Sequence, residues 1–125
     1  MVVKIGSSTL TSKRGTFRLS PVAGLVADIC ELHAQGHRIL LVSSGAVSSG
    51  MGVLRFKRRP TEVVDLQAAA AVGQGRLFHI YTELFAHENV VTAQVLLTAF
   101  DVAARTQYLN ARNTLNRLLD WKVVP

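Results

Sequence analysis

Two short segments combine small residues, hydroxyl groups and a cation in a pattern that suits anion binding. One is KIGSST, residues 4–9, and the other is LVSSGAVSSGMG, residues 41–52. Each segment contains or follows apolar residues and presents glycines and serines whose backbone N–H groups and hydroxyls can approach a charged oxygen. Lys4 begins the first segment, so its ammonium can reach the same pocket. The alternative interpretation is a permissive turn at each place.

Standard nucleotide-binding and catalytic motifs do not match these segments. Gly45 and Gly50 have the glycine spacing of a P-loop. However, Met51 and Gly52 stand where that motif requires Lys and Ser or Thr. Gly50 and Gly52 also begin a dinucleotide fingerprint, but Arg55 occupies its third glycine position. No G-x-S-x-G elbow occurs, and the four histidines form no convincing metal-binding or catalytic pair.

The composition indicates one globular domain. The chain of 125 residues is long enough for a single core, and 49% of its residues are apolar against 18% charged. No apolar run approaches the roughly 18 residues of a membrane span, and the start MVVKIG lacks the features of a signal peptide. The single cysteine, Cys30, is typical of a reducing compartment. We therefore expect a cytoplasmic protein with no membrane partner.

The formal charge of +6 raises the question of nucleic-acid binding. The one basic cluster is RFKRRP, residues 55–60, and Phe56 is the only aromatic residue within it. Aromatic interleaving for base stacking is therefore absent. A solvated loop is the first interpretation, a rim that attracts anionic substrates is the second, and a nucleic-acid surface is the third. We expect no nucleic-acid partner for this segment.

Hydrophobic periodicity alternates between strand and helix along the chain. Strands are predicted at MVVKI, HRILLV, VVTAQVLL and KVVP. Helices are predicted over SPVAGLVADICELHAQG, over the stretch from TEVVD to AHEN, and over the stretch from DVAAR to LLDW. TLTSKRGTFRL is interpreted as a hairpin-like loop, and HRILLV is apolar enough to be covered on both faces. The alanine run of the second helix allows a neighbouring element to approach closely, and Gly73 and Gly75 are expected to loosen or bend that helix.

Residues that favour helix ends flank two of these helices. Ser20 is the predicted N-cap of the first helix, with Pro21 at its first position and Gly36 at its C-terminal end. Thr61 is the predicted cap of the second helix.

The alternation of strands and helices predicts an α/β fold with a parallel sheet and helices on both faces. Because the chain stops within a short strand, we expect an interrupted fold and a fragment.

Ligands of open parallel sheets bind at the carboxyl ends of the strands. The two small-residue segments follow the first and second strands, so we expect both at that edge.

Five blocks of the chain also resemble one enzyme family: VVKIGSSTLT, LVSSGAVSSGMGVL, QAAAAVGQGRL, AQVLLT and RTQYLNARNTLNRLLDWKVVP. Together they resemble the N-terminal half of the glutamate 5-kinases, a branch of the amino acid kinase family, in collinear order over nearly the whole chain. The kinase domain of pyrroline-5-carboxylate synthetase looks similar.

The resemblance implies a three-layer α/β/α sandwich with a mainly parallel sheet. Residues 1–125 would form the N-terminal part of the kinase domain, with the remainder absent. The implied reaction transfers the γ-phosphoryl group of ATP to the side-chain carboxylate of L-glutamate. The product is L-glutamyl 5-phosphate, in the first step of proline biosynthesis, and Mg²⁺ assists. Family members of this type are commonly feedback-inhibited by proline and form homo-oligomers.

The resemblance also assigns roles to six residues of this sequence. Lys4 matches the lysine that stabilises charge on the transferred phosphoryl group. The phosphate-side loop matches at Gly6, Ser7 and Ser8. On the glutamate side, Ser44 matches the serine that contacts the substrate, and Gly45 allows close approach. The plainer interpretations are a solvated lysine at a strand end, a turn, and a loop serine that caps the next helix.

Some positions depart from the family pattern. Leu66 stands where the family usually has lysine, and Ala99 and Phe100 replace polar residues. Three hypotheses remain open: part of a glutamate 5-kinase, another phosphotransferase of the same family, and a non-catalytic half-domain that serves binding or assembly. Because the resemblance covers only half of a kinase domain, we expect the 125-residue chain alone to be inactive.

Overall fold

The computed structural model describes residues 1–10, 12 and 17–125. Within these residues it has two strands, β1 (Val2–Ile5) and β2 (Leu40–Ser43). The helices are α1 (Ser7–Leu10), α2 (Leu19–Ala34), α3 (Ala46–Val53), α4 (Val63–His87), α5 (Ala99–Ala103) and α6 (Arg105–Asp120). The predicted hairpin-like loop, residues 9–19, lies partly outside the described residues. Its first part forms the end of α1, which the sequence did not predict.

Parallel pairing organises the sheet, as the alternation of elements predicted. β1 and β2 pair in parallel from Val2 opposite Leu40 to Ile5 opposite Ser43. On the other side of β2, the backbone N–H of Leu41 donates to the carbonyl of Pro125 at 2.9 Å. The neighbouring Val124 forms a parallel bridge with the segment around residue 92. The predicted third and fourth strands are therefore present only as this bridge, next to β2.

The core lies between one face of this sheet and the helices α2 and α4. Ile5 of β1 is buried there with Val26 and Ile29 of α2 and Phe85 of α4. Side chains alternate between the two faces of a strand, so Lys4 and its register partner Val42 lie on the opposite face.

The opposite face of the sheet is open. Val2 is 68% exposed and Val42 is 42% exposed. The prediction that the HRILLV strand is covered on both faces is therefore wrong for this chain. Continuous apolar character favours a doubly covered strand, but Val42 remains exposed. The described residues form a mixed α/β arrangement with a small parallel sheet.

Both predicted N-caps are wrong by one or two residues. α2 begins at Leu19 with Arg18 as its N-cap, so Ser20 and Pro21 lie inside the first turn. Proline is tolerated there because the first N–H groups of a helix have no intrahelical partner. α4 has Glu62 rather than Thr61 at its N-cap, and neither helix has a side-chain cap hydrogen bond. Both helices depend on burial of their apolar faces more than on these caps.

The predicted glycine at the C-terminal end of α2 is confirmed. Gly36 has a φ of +91°, a left-handed conformation that glycine adopts without steric cost. Its N–H donates to the carbonyl of His33 at 3.0 Å, and the N–H of His37 donates to that of Leu32 at 3.1 Å. These two bonds form a Schellman motif, which satisfies the last carbonyls of the helix.

The C-terminal helical region is divided into two helices at Ala104, whose extended ψ of 124° interrupts the helix. The preceding α5 begins with a capping box. Thr98 donates its backbone N–H to the Asp101 carboxylate at 2.8 Å, and its hydroxyl accepts from the Asp101 N–H at 3.3 Å. Hydrogen bonds from Thr98 hold the pKa of the Asp101 carboxyl below its ordinary value.

α5 leaves Phe100 65% exposed, so this departure from the family pattern has no packing role among the described residues.

Every fourth residue of α4 is buried, which gives the helix one inward ridge. Its members are Ala69, Gly73, Leu77, Tyr81 and Phe85. Residues at this spacing form a row along one helix face that can pack into a neighbouring element. The row is small at its N-terminal end and large at its C-terminal end, so α4 can contact backbone at one end and fill the core at the other.

The small end of this ridge makes a backbone-to-backbone contact with α3. A Cβ atom added at Gly50 would lie 1.8 Å from the carbonyl oxygen of Ala69. A Cβ added at Gly73 would lie 1.8 Å from the carbonyl oxygen of Ala46. The expected close approach is therefore confirmed. α4 is one uninterrupted helix at Gly73 and Gly75, so the expected loosening is not found, and Gly73 provides contact with α3 instead.

We expect Gly73→Ala to lower the free energy of unfolding by about 3 kcal/mol, because the new methyl group forces two helix backbones apart. Gly75→Ala is the matched control, since no atom lies within 4 Å of the added Cβ. That control should raise stability by about 0.5–1 kcal/mol, because alanine is the better helix former. Urea unfolding followed by circular dichroism measures both. Equal effects of the two variants would contradict the proposed contact.

Candidate active site

The two small-residue segments meet at the carboxyl edge of the sheet. Ile5 and Ser43 are register partners at the ends of the two parallel strands. The next residue of β2, Ser44, donates its backbone N–H to the carbonyl of Ile5 at 3.1 Å. Gly6 and Ser44 therefore begin their loops from adjacent positions. This edge is where ligands of open parallel sheets bind.

The hydroxyl of Ser44 makes a second bond to the same strand end. Its Oγ donates to the carbonyl oxygen of Ile5 at 3.2 Å. The interpretation of Ser44 as a cap of the next helix is wrong, because the N-cap of α3 is Gly45 and no side chain caps it. A serine hydroxyl has one hydrogen. The Ser44 hydroxyl must therefore rotate away from Ile5 before it can donate to a ligand.

Gly45 follows in a conformation that requires glycine. Its φ is +105°, and an added Cβ would lie 3.2 Å from Cδ1 of Leu10 and 3.7 Å from the Cα of Ser7. Clearance for a substrate was the expected reason for this glycine. The structure gives an internal reason, because the left-handed turn and the tight contact with Leu10 of α1 both favour glycine. Gly45 thereby brings the second segment against the first.

The phosphate-side loop turns directly into the short helix α1. Gly6 is partly buried, whereas Ser7 and Ser8 are exposed in the first turn. The carbonyl of Gly6 accepts the N–H of Thr9 at 3.1 Å. Arg18, the N-cap of α2, donates from its guanidinium to the carbonyl of Ser8 at 3.4 Å. The structure thus adds a second basic side chain near this loop, which sequence periodicity gave no signal to find.

Lys4 is close to this edge but lies on the open face of the sheet. It is exposed, and it precedes the last residue of β1. Alternation of side chains places it on the face opposite to Ile5, beside Val42 of the neighbouring strand. Lys4 is therefore available to a ligand that approaches the carboxyl edge from the open face.

A partly buried hydrogen bond connects the second segment to α4. The phenol oxygen of Tyr81 is 2.9 Å from the Oγ of Ser43, the last residue of β2. Burial raises the pKa of Tyr81 above its ordinary value, and the bond to Ser43 partly offsets that effect. Sequence analysis did not single out Tyr81. The signal that could have identified Tyr81 is the repeat of buried positions every four residues from Gly73, which places it on the inward ridge of α4.

A cavity of about 360 Å³ lies between β2, α4 and the segment 92–97. Ser43 and Tyr81 line it, together with many apolar side chains and Pro125. None of the six predicted site residues lines it. The cavity therefore adjoins the candidate site but is distinct from it.

The residues that the structure describes contain no group of three or more His, Cys, Asp or Glu side chains arranged to hold a metal ion. Their donors at the strand ends are hydroxyls, backbone N–H groups and basic side chains, which suit anions and not cations. In the same residues, no helix is both long enough and apolar enough to cross a bilayer.

Comparison with known proteins agrees with this geometry. A sequence profile of the amino acid kinase family matches residues 1–125. The chain belongs to the amino acid kinase family. The resemblance inferred from the sequence blocks is therefore confirmed at the family level.

Curated relatives of this amino acid kinase chain include proteins named glutamate 5-kinase. The chain is 43% identical to one from Clostridium acetobutylicum over 125 residues, which is 100% of the chain and 47% of the relative. It is 49% identical to one from Nostoc punctiforme and 46% identical to one from Moorella thermoacetica, with 34% and 33% of those relatives covered. In both cases the match covers 100% of the chain. The chain thus spans about half to a third of their length.

We expect Gly45→Ala to lower stability, because the methyl group strains the turn and meets Leu10. Gly36→Ala is the matched control: its φ is also positive, at +91°, but nothing lies within 4 Å of the added Cβ. Both variants should lose about 1–2 kcal/mol from left-handed strain. Thermal unfolding of both variants tests this, and we expect Gly45→Ala to lower Tm more than Gly36→Ala, because only its methyl group also meets Leu10.

Proposed function

We propose that this chain is the N-terminal part of a glutamate 5-kinase domain, which phosphorylates the side-chain carboxylate of L-glutamate with ATP. The names of its relatives support this substrate. The observation that carries the proposal is the junction of the two loops at the ends of β1 and β2. There, the N–H and the hydroxyl of Ser44 both bind the carbonyl of Ile5. One edge can then hold two anions close together.

The chemistry of this reaction suits such an edge. The nucleophile is a carboxylate, which is already ionised at neutral pH, so no general base is needed. The barrier arises from bringing two anions together and from charge on the transferred phosphoryl group. Positioning and charge neutralisation are therefore what the protein must supply.

On the phosphate side, we assign Gly6, Ser7 and Ser8 to approach the phosphates of ATP. Lys4 would stabilise charge on the transferred phosphoryl group, because its ammonium lies near the end of β1 and is exposed. The guanidinium of Arg18 contacts the carbonyl of Ser8 and adds positive charge beside this loop.

On the glutamate side, we assign Ser44 to contact the substrate after its hydroxyl rotates away from Ile5. Gly45 adds a backbone N–H next to it and keeps side-chain atoms out of the turn. The two assignments separate the phosphate and carboxylate functions between the loops that follow β1 and β2.

Mg²⁺ accompanies ATP in this proposal. The described residues do not fit a resident metal site, because they lack a cluster of carboxylates or histidines. We therefore assign no step to the metal through these residues. A cytoplasmic location, homo-oligomer formation and inhibition by proline belong to the same proposal, as properties that the family resemblance implies.

The proposed complete domain is a three-layer α/β/α sandwich, in which α2 and α4 of this chain belong to the layer that covers the core face of the sheet. The open sheet face, with Val2 and Val42 exposed, supports a second layer.

The activity of the complete kinase, meaning the protein of its relatives' length that carries this sequence, tests the proposal directly. We expect ADP formation that depends on L-glutamate, and none from the 125-residue chain, because it spans only about a third to a half of its relatives' length. Coupled-enzyme assays with glutamate, aspartate and acetylglutamate measure this. Activity on aspartate or acetylglutamate without glutamate would indicate another member of the family. Inactivity of the complete protein on all three would indicate a non-catalytic module.

Lys4→Ala in the complete kinase should lower kcat by about 10²–10³-fold, the range for loss of one group that stabilises transition-state charge. Lys122→Ala is the control. It removes the same charge from an exposed position that precedes Val124, at the amino end of the neighbouring strand. That control should retain nearly full activity. Comparable loss in both variants would refute a specific role for Lys4.

A further inference from the structure

We propose that Tyr81 is a positioning residue of this site, whose hydroxyl fixes the Ser44–Gly45 peptide through the side chain of Ser43. The proposal rests on the proposed function and extends it to a residue of α4 that does not contact substrate. Two hydrogen bonds then connect Tyr81 of α4, through Ser43, to the loop on the glutamate side.

The number of hydroxyl hydrogens limits the direction of this hydrogen-bond chain. Ser43 Oγ donates to the carbonyl oxygen of Ser44 at 3.3 Å. Either oxygen can donate in the 2.9 Å bond between Ser43 Oγ and the phenol of Tyr81. When Ser43 gives its single hydrogen to Ser44, it accepts from Tyr81. In the arrangement that we propose, Tyr81 is the donor, Ser43 the relay and the Ser44 carbonyl the final acceptor.

Tyr81 is held firmly enough to serve as an anchor. It is 6% exposed, and Leu77 and Phe85 lie one turn away on either side of it along the buried ridge of α4. A buried phenol ring has few rotamers available and loses its bond geometry only if the helix moves. The raised pKa of Tyr81 also keeps the phenol protonated, and thus a donor, in neutral solution.

The backbone N–H and the carbonyl of Ser44 are then both held by hydrogen bonds. Its N–H and its hydroxyl bind Ile5, and its carbonyl binds Ser43. The peptide bond is planar and trans, so the N–H of Gly45 points opposite to the Ser44 carbonyl. Fixing that carbonyl therefore orients the Gly45 N–H, a backbone donor at the edge where the substrate carboxylate is proposed to bind. Loss of the Tyr81 hydroxyl frees Ser43 to rotate and lets this peptide reorient.

Tyr81→Phe in the complete kinase tests the inference with little change in packing volume. We expect the KM for L-glutamate to rise about 3–10-fold, the equivalent of one hydrogen bond. The KM for ATP and kcat should stay within about twofold, because the phosphate-side loop is untouched. Tyr108→Phe is the matched control, since it removes a phenol from an exposed tyrosine of α6 and should change neither KM.

Ser43→Ala provides a second, independent variant. It should reproduce the rise in the KM for glutamate, and the double variant should be no worse than either single variant, because both remove links of one chain. Additive effects of the two substitutions would overturn the relay. So would a loss of kcat in Tyr81→Phe with no change in the KM for glutamate, which would indicate a role in folding only.

Amide hydrogen exchange gives a readout that does not require activity. In Tyr81→Phe, peptides that cover residues 43–46 should exchange faster, while those from β1 and α2 keep wild-type rates. Uniformly faster exchange would indicate general destabilisation and overturn the proposal. If the wild-type enzyme does not phosphorylate glutamate, the proposed function fails, and the local exchange result alone decides whether Tyr81 positions this peptide.

Discussion

The contact between the backbones of α3 and α4 is the constraint on which the candidate site depends. α3 has eight residues, too few for a stable isolated helix, so its position is set by packing against α4. That packing requires glycine at both Gly50 and Gly73, because a Cβ at either would overlap a carbonyl of the facing helix. α3 begins immediately after Gly45. The depth at which α3 packs on α4 therefore sets the place where the Ser44–Gly45 turn must leave the sheet.

The sheet fixes the other side of this turn. β1 and β2 end together because Ile5 and Ser43 are register partners, and Ser44 then binds the last carbonyl of β1. α4 contributes at two levels of its inward ridge: Gly73 contacts α3, and Tyr81, two turns further along, contacts the end of β2. α4 thus constrains the turn at its start, through Tyr81 and Ser43, and after its end, through the packing of α3 on Gly73. A small shift of α4 would move the turn relative to β1, which explains why the ridge combines the smallest and the largest side chains.

Local sequence patterns predicted β1, β2, α4 and most of α2. The buried faces of α2 and α4 agree with their apolar periodicity, whereas β2 is not covered on both faces as expected. The same patterns missed α1 and α3, since runs of serine and glycine favour loops. Both helices form through tertiary contacts, with Leu10 fully buried and Met51 only 7% exposed. The two candidate loops were correctly expected at one edge, because parallel strands share it. The reason for Gly45 and the presence of Arg18 could not be predicted, since both depend on contacts between elements distant in sequence.

The position of Lys4 follows from strand alternation and has a consequence for the complete kinase. Lys4 lies between two exposed valines, Val2 on its own strand and Val42 on the next, on the open face of the sheet. If a second helical layer covers these valines, it also removes water from around the ammonium of Lys4. Burial of an unpaired cation is costly, so closure of this face is favourable only with an anion beside Lys4. In the proposed function, a phosphate at the neighbouring strand end would supply that anion. Apolar packing of the open face and binding of the nucleotide phosphates would therefore stabilise each other.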